Sequence, residues 1–242
     1  MNNNRFDEME NFDAEIPSHV ANYLCEVRGQ KIKLLLDKYF QENSMVLKGI
    51  DIGCGTGNHI AYLQEIIPTL EIDGLDYSKK MLELAEKKGL KNNFIHSSMT
   101  NIQNIQNETY DFAFAVNSLH HLSSKKDQLQ AIKEVLLLLK KGGIFIIHEI
   151  NIKNPVIRFY MDYVFPNIRN IDDGSEVWLT EETLKHGGFD IEDIDYFTFV
   201  PDFTPSILMP VMVAIDKLLS KSPLSLCGAH IMFVLRKRPA SR

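Results

Sequence analysis

The feature that most constrains the fold is a glycine-rich turn that directly follows a short apolar segment. Residues 45–52, MVLKGIDI, are mostly apolar, and glycine then recurs at alternate positions as Gly53, Gly55 and Gly57. An apolar run of this length indicates a buried strand. Alternating glycines permit backbone conformations that other residues avoid. We therefore predict a strand, a tight turn and a helix, with a ligand lying against the backbone of the turn.

The same order of strand and helix repeats along most of the chain. Apolar segments predict five strands before residue 151, and residues 79–88 and 124–140 between them have helical patterns. Ser78 is a suitable first residue for one of these helices. Such alternation is typical of an α/β fold in which a doubly wound parallel sheet has helices on both faces. Ligands of these sheets bind at the carboxyl ends of the strands.

The chain divides into two parts by pattern. Residues 1–44 are predicted to form an N-terminal arm with one or two capping helices, and residues 45–242 to form one domain with two inserted segments. The first insertion, at about 151–177, is rich in aromatic residues, and the second, at about 201–227, is too long for a hairpin turn. Residues 203–220 are apolar on nearly all sides, so we expect them to be buried under a lid, a second subunit or a lipid surface.

Composition and charge argue against several classes of protein. The net charge of −6 disfavours a broad basic surface for nucleic acid. Cys25, Cys54 and Cys227 are far apart, which indicates neither a disulfide framework nor a zinc site. The N-terminus lacks the pattern of a secretory signal, and the apolar run Ile207–Ile215 is much shorter than the about 20 residues of a membrane span. We expect a cytoplasmic protein, a monomer or homodimer, that acts on a small molecule.

The residues around the glycine turn match a known pattern. Asp51 precedes the first glycine by two residues, and Asp76 ends the second predicted strand. Together they resemble motif I and the following acidic motif of class I S-adenosylmethionine-dependent methyltransferases. Further segments similar to that superfamily follow in the same order: YDFAFAVNSLHHL at 110–122, LKKGGIFIIHE at 139–149 and LTEETLKHGGFDIEDI at 179–194. The resemblance implies a Rossmann-like doubly wound, seven-stranded, mostly parallel sheet, and S-adenosyl-L-methionine as cofactor.

The resemblance also implies roles for individual residues. Asp76 would accept hydrogen bonds from the ribose hydroxyls, and Asp51 would face the positively charged amino end of the cofactor. Tyr77 and Met81 would line the adenine pocket. Many relatives have an acid in the loop after the third strand, and this chain has Ser98 in its place. The predicted cofactor-binding residues are Asp51, Gly53, Cys54, Gly55, Gly57, Asp76, Tyr77, Met81, Ser98, Met99 and Asn117.

The catalytic residues are predicted from position and chemistry. Methyl transfer from a sulfonium needs mainly alignment, so few catalytic side chains are expected. Where the acceptor is a hydroxyl, histidine is the natural base near neutral pH, and we predict this role for His120 or His121, at the end of the fourth strand. No metal is expected, since no matching ligand cluster is evident. Predicted substrate contacts are His148, Arg158, Tyr160, Tyr163 and Trp178.

Three readings of the function remain open at this stage. Transfer of a methyl group to a small-molecule hydroxyl is the first, with nitrogen and carbon acceptors also open. The second is a protein that binds the cofactor or its product without catalysis, because the turn and Asp76 report binding alone. The third is an NAD-dependent oxidoreductase, which Asn58 disfavours because the dinucleotide fingerprint has glycine at that position.

Overall fold

A seven-stranded sheet forms the centre of the molecule. The computed structural model describes residues 16–40, 46–90, 92–164 and 176–238. The strands are β1 (Lys48–Ile52), β2 (Glu71–Asp76), β3 (Phe94–His96), β4 (Tyr110–Val116), β5 (Leu139–Ile150), β6 (Ile191–Phe197) and β7 (His230–Arg236). Their spatial order is β3-β2-β1-β4-β5-β7-β6. The antiparallel pairings among the described strands are those of β7 with β5 and with β6. The predicted mostly parallel, doubly wound sheet is therefore confirmed.

Helices cover both faces of this sheet. The described part of the chain contains seven α-helices: α1 (Ser18–Tyr39), α2 (Asn58–Ile66), α3 (Lys79–Lys87), α4 (Lys125–Leu138), α5 (Pro155–Phe159), α6 (Glu181–His186) and α7 (Met209–Leu219). A π-turn, Tyr160–Val164, continues α5. No helix among the described residues is long and apolar enough to cross a membrane. The parts of the predicted arm and of the first insertion at residues 1–15 and 165–175 lie outside the described residues.

Hydroxyl side chains begin three of the helices. Ser78 accepts a hydrogen bond from the Met81 backbone N–H at the start of α3, and Ser124 and Thr180 do the same for α4 and α6. Helix α4 ends two residues earlier than predicted, because Leu139 already pairs with Tyr110 in the sheet.

The core consists of two apolar layers, one on each face of the sheet. Along β4, Phe112 and Phe114 pack into one layer while Ala113 and Ala115 pack into the other, since alternate side chains of a strand point to opposite faces. The first layer includes apolar residues of α1 and α2, and the second those of α4 and α6. This arrangement leaves the carboxyl ends of β1 and β4 adjacent at the point where the strand order reverses.

The described part of the N-terminal region, residues 16–40, forms one long helix. Helix α1 packs its residues Ile32 and Leu36 into the same layer as α2. The two helices approach closely at Gly29, where an added Cβ would overlap the ring of Tyr62. This contact holds the middle of α1 beside the middle of α2.

The apolar segment around α7 differs most from its prediction. We expected residues 203–220 to be buried, but Val211 and Leu218 are 58% and 72% exposed in this chain. The buried residue of α7 is Asp216, which accepts hydrogen bonds from the Tyr23 hydroxyl, the Phe199 N–H and the Ser220 hydroxyl. Within this chain the polar contacts of Asp216 hold α7 in place, and cover of its apolar face by a second subunit or a lipid surface stays a prediction.

Candidate active site

A cavity of about 1750 Å³ lies at the carboxyl ends of β1 and β4. The turn after β1 and the start of α3 form one part of the wall, and the segment after β4 forms another. Helix α1 and both inserted segments supply the rest of the wall, including Tyr160, Glu176 and Phe203. Pockets for one small ligand usually measure about 300–1,000 Å³, so this cavity has room for two ligands side by side. Its position is the one expected for a doubly wound sheet.

The glycine turn forms the floor next to β1. Gly53 has a φ of +75°, and a Cβ added to it would lie 2.5 Å from Ser118 Cβ. Gly55 has a φ of +52° and faces open space, with nothing within 4 Å of an added Cβ. The N–H groups of Gly53 and Cys54 both donate to Leu75 O, at 2.7 and 3.0 Å. The turn is therefore tied to β2, and at Gly55 it leaves its backbone open to a ligand.

Asp76 joins this turn to the start of α3. One carboxylate oxygen accepts from the Gly55 N–H and the other from the Ser78 N–H, both at 2.8 Å. Each oxygen has a second lone pair, and Asp76 lines the cavity, so it can also accept from a ligand hydroxyl. Asp51 is nearly fully buried behind the turn, where burial and then the charge of Asp76 raise its pKa well above the usual range.

The remaining predicted cofactor contacts surround the same region. Tyr77, Met81, Ser98, Met99, Cys54 and Asn117 all line the cavity, whereas Asp51 and Gly57 are not among its described lining residues. Asn117 has a φ of 51° and donates its N–H to His148 O at 3.0 Å. Its side-chain oxygen is buried, with no hydrogen-bond partner among the described residues. This oxygen is therefore an unsatisfied acceptor in a residue that lines the cavity.

A buried histidine–glutamate pair lies beyond β4. His120 Nδ1 is 2.6 Å from Glu149 Oε2, and the other oxygen of Glu149 accepts from the Leu119 N–H at 3.1 Å. Both side chains are buried, and His120 lines the cavity. The hydrogen bond to the carboxylate favours the ring tautomer that carries its proton on Nδ1. His121 also lines the cavity, and its ring centroid is 4.1 Å from that of His120.

Comparisons with known proteins agree with this geometry. Residues 50–147 match a family model described as a methyltransferase domain. The fold is similar to that of the plantazolicin methyltransferase BpumL in complex with SAH, with a TM-score of 0.64, 16% identity, and coverage of 98% of this chain and 93% of that one. Residues 50–147 are therefore similar to a methyltransferase domain, and the fold is the one found in S-adenosylmethionine-dependent methyltransferases.

Curated relatives of the chain have different names. The chain is 30% identical over 142 residues to a tRNA (carboxymethyluridine(34)-5-O)-methyltransferase of Schizosaccharomyces pombe, covering 58% of each. It is 29% identical over 156 residues to a demethylmenaquinone methyltransferase of Staphylococcus aureus, covering 58% of this chain and 62% of that one. The chain thus spans less than two thirds of the length of these relatives.

The residues present fit the cofactor of these methyltransferases, S-adenosylmethionine. Gly55 opens the backbone toward the cavity, and Asp76 presents both carboxylate oxygens near it. The partnerless oxygen of Asn117 adds an acceptor for an amino or hydroxyl group. A ligand with a sugar and a charged amino-acid end finds suitable partners for both along this wall.

Of the predicted substrate contacts, Tyr160 is among the described residues that line the cavity and the other four are not. Tyr160 lines the cavity and donates its hydroxyl to Asp202 at 2.9 Å. Arg158, Tyr163 and Trp178 are not among the described lining residues. Arg158 and Tyr163 are exposed, and Arg158 pairs with Asp162. The ring of Trp178 packs with its centroid 5.4 Å from that of His120. His148 also lies elsewhere than predicted: it is fully buried beside Phe197 and His230.

A group of possible metal ligands corrects another expectation. The sequence indicated no ligand cluster around the histidine pair, but Glu176 lies beside it. One ligand atom from each of His120, His121 and Glu176 lies within 4.8 Å of the others. Two histidines and a glutamate are a donor set that zinc accepts. Glu176 was missed because it is separated from the histidines by more than fifty residues of sequence without a motif.

Sequence patterns also missed three basic residues that line the cavity. Arg28 lies on α1, His59 at the start of α2 and His230 at the start of β7. Arg28 occurs within the helical pattern of α1, and no motif marks it. Packing of α1 against α2, together with the start of β7, brings these residues to the same wall.

Proposed function

We propose that this protein transfers a methyl group from S-adenosylmethionine to a hydroxyl group of a small molecule. The observation that carries the proposal is the common cavity: the glycine turn and Asp76 lie on one side of it, and the His120–Glu149 pair lies on the other. A cofactor site alone would also suit a binding protein. A carboxylate-oriented histidine beside the cofactor site supplies what a hydroxyl acceptor additionally needs.

The cofactor side of the cavity binds and orients S-adenosylmethionine. Asp76 accepts the ribose hydroxyls, Gly53 to Gly57 let the ligand lie on the backbone, and Tyr77 and Met81 border the base. Asp51 acts from behind the turn on the amino end of the ligand. When bound, S-adenosylmethionine supplies a methyl group on a positively charged sulfur, which is already an activated leaving group.

The acceptor side removes a proton. Glu149 accepts the Nδ1 proton of His120 and fixes the orientation of the ring, so Nε2 is the atom that takes the proton of the acceptor hydroxyl. The positive charge that then forms on the ring is stabilised by the buried carboxylate of Glu149. Tyr160 and Phe203, from the two inserted segments, border the acceptor and exclude water from it.

The relatives suggest two kinds of acceptor. One is named for demethylmenaquinone and another for a tRNA uridine. We favour a small molecule, because the net charge of −6 gives little attraction to a phosphate backbone. A tRNA acceptor is the second candidate, and the observation that favours it is the name of the Schizosaccharomyces pombe relative.

The experiment begins with calorimetric titration of the purified protein with S-adenosylhomocysteine, with NADH as the control. Radiolabelled methyl transfer is then measured with phenols, hydroxylated sugars, quinols and total tRNA as acceptors. Micromolar binding of S-adenosylhomocysteine alone, followed by labelling of a hydroxylated small molecule, supports the proposal. Labelling of tRNA alone would replace the acceptor class. Binding without labelling of any acceptor would favour a protein that binds the cofactor without catalysis.

A further inference from the structure

Arg28 lies in the cavity wall without a partner of opposite charge. It forms no hydrogen bond or ion pair with any of the residues that the structure describes, and its Nε atom is buried and unsatisfied. The acids that line the cavity, such as Glu26 and Glu65, do not pair with it. Burial is the main influence on the guanidinium and lowers the pKa of Arg28 to about 10. A desolvated cation of this kind is normally paired.

Three histidines surround this arginine, and they also lack partners. His59 Nε2, His230 Nδ1 and both ring nitrogens of His148 are buried without a hydrogen bond among the described residues. Burial lowers the pKa of all three histidines, to about 3 for His59, and the charge of Arg28 lowers each further. They are therefore neutral at pH 7, and each neutral ring carries one N–H donor. The wall thus presents one cation and several donors, without an acceptor of matching charge.

We propose that Arg28, with His59 and His230, forms a subsite for a carboxylate that enters with a ligand of the cavity. A guanidinium presents parallel N–H donors that match the two oxygens of a carboxylate. Arg28, His59 and His230 all line the cavity, so an anion can reach them without passing through the core. The carboxylate of the ligand then supplies the negative charge that pairs with Arg28.

Two ligands of the proposed reaction can carry this carboxylate, so the inference rests on the proposed function. One source is the amino-acid end of the cofactor, and the other is an acidic group on the acceptor. The cavity has room for both ligands. The chemistry of the subsite is the same in either case, and binding experiments with matched ligand pairs separate the sources.

The experiment compares wild-type protein with Arg28→Gln by calorimetry. The first pair of probes is S-adenosylhomocysteine and 5′-methylthioadenosine, which lacks the amino-acid end. The second pair, phenylacetate and benzyl alcohol, is titrated into protein saturated with S-adenosylhomocysteine. We expect Arg28→Gln to weaken the charged member of one pair by about tenfold to a hundredfold and to leave its neutral counterpart unchanged. The affected pair identifies the source.

The melting temperature without ligand distinguishes a binding role of Arg28 from a structural one, because a structural role would lower it in Arg28→Gln. Because Gln removes an unpaired desolvated charge, we expect Arg28→Gln to melt no lower than wild type. Arg238→Gln, at an exposed arginine paired with Asp190, is the matched control and should change no affinity. Arg28→Lys keeps the charge and should retain part of the affinity.

Two results would overturn the subsite. One is equal affinity of wild type and Arg28→Gln for both charged probes. The other is a lower melting temperature with unchanged affinities, which would show that Arg28 serves the packing of α1. Wild-type binding of 5′-methylthioadenosine tests the cofactor site itself, so its failure would count against the proposed function rather than the subsite.

Discussion

The two sides of the cavity are built in different ways. On the cofactor side, backbone groups of one turn are tied to β2, and Asp76 is fixed by two N–H groups. On the acceptor side, side chains from α1, the segment after β4 and both inserted segments meet across long distances in sequence. The first side depends on local geometry and the second on packing. The comparison teaches that one side can be changed without disturbing the other, and each prediction below tests that separation.

The largest effect is expected from removing the proposed base, His120, on the acceptor side. In His120→Ala, methyl transfer should fall by about 100-fold to 10,000-fold, because the acceptor loses its proton acceptor. The affinity for S-adenosylhomocysteine should stay the same, as measured by calorimetry. His121→Ala is the control, with a smaller loss. If His121→Ala removes activity and His120→Ala does not, the roles assigned to the two histidines are reversed.

The converse change affects the cofactor side alone. Asp76→Ala removes the acceptor of two N–H groups and of the ligand hydroxyls, so affinity for S-adenosylhomocysteine should fall by about 2–3 kcal/mol. Asp76→Asn retains one acceptor oxygen and should lose less. Unchanged calorimetric affinity in Asp76→Ala would contradict the assignment of the cofactor side.

Glu149 is a positioning residue, and its replacement should have a smaller effect. In Glu149→Gln the side-chain oxygen can still accept from one donor, but the negative charge beside the imidazolium is lost. We expect kcat to fall by about tenfold to a hundredfold while KM and cofactor affinity change little. The pH–rate profile should also move, since the base becomes less basic. A rise in KM alone would indicate a role in binding.

The neutral histidines beside Arg28 predict a dependence of folding stability on pH. Below the ordinary histidine pKa of 6.5 the unfolded chain gains protons that the folded His59, with a pKa of about 3, does not. The unfolded state is therefore favoured as pH falls, by up to about 1.4 kcal/mol per pH unit for each such histidine. Urea unfolding at pH 7 and pH 5.5 should show the loss, and His59→Gln should reduce it. Equal stability at both pH values in wild type would exclude the effect.

The sequence predicted the geometry of the glycine turn far better than the packing of the rest of the cavity wall. Glycine spacing, Asp76 and the Ser78 cap act within a few residues of one another, so their geometry follows from local rules. Arg28, Glu176 and the pairing of His120 with Glu149 depend on contacts between distant segments, which periodicity does not encode. Residues 203–220 show a related limit: hydropathy predicts that an apolar helix needs a covering surface but does not reveal that Asp216 attaches it by polar contacts.

The attachment of α7 through Asp216 has a consequence for how such a chain can diverge. The outward residues Val211 and Leu218 are mostly exposed, so replacing them removes little apolar contact from the folded chain. Substitutions at these positions therefore cost little folding free energy, while Asp216 keeps the helix attached to Tyr23 and to the backbone of Phe199. The outer face of α7 can therefore acquire new surface properties without any change in the described residues that line the cavity.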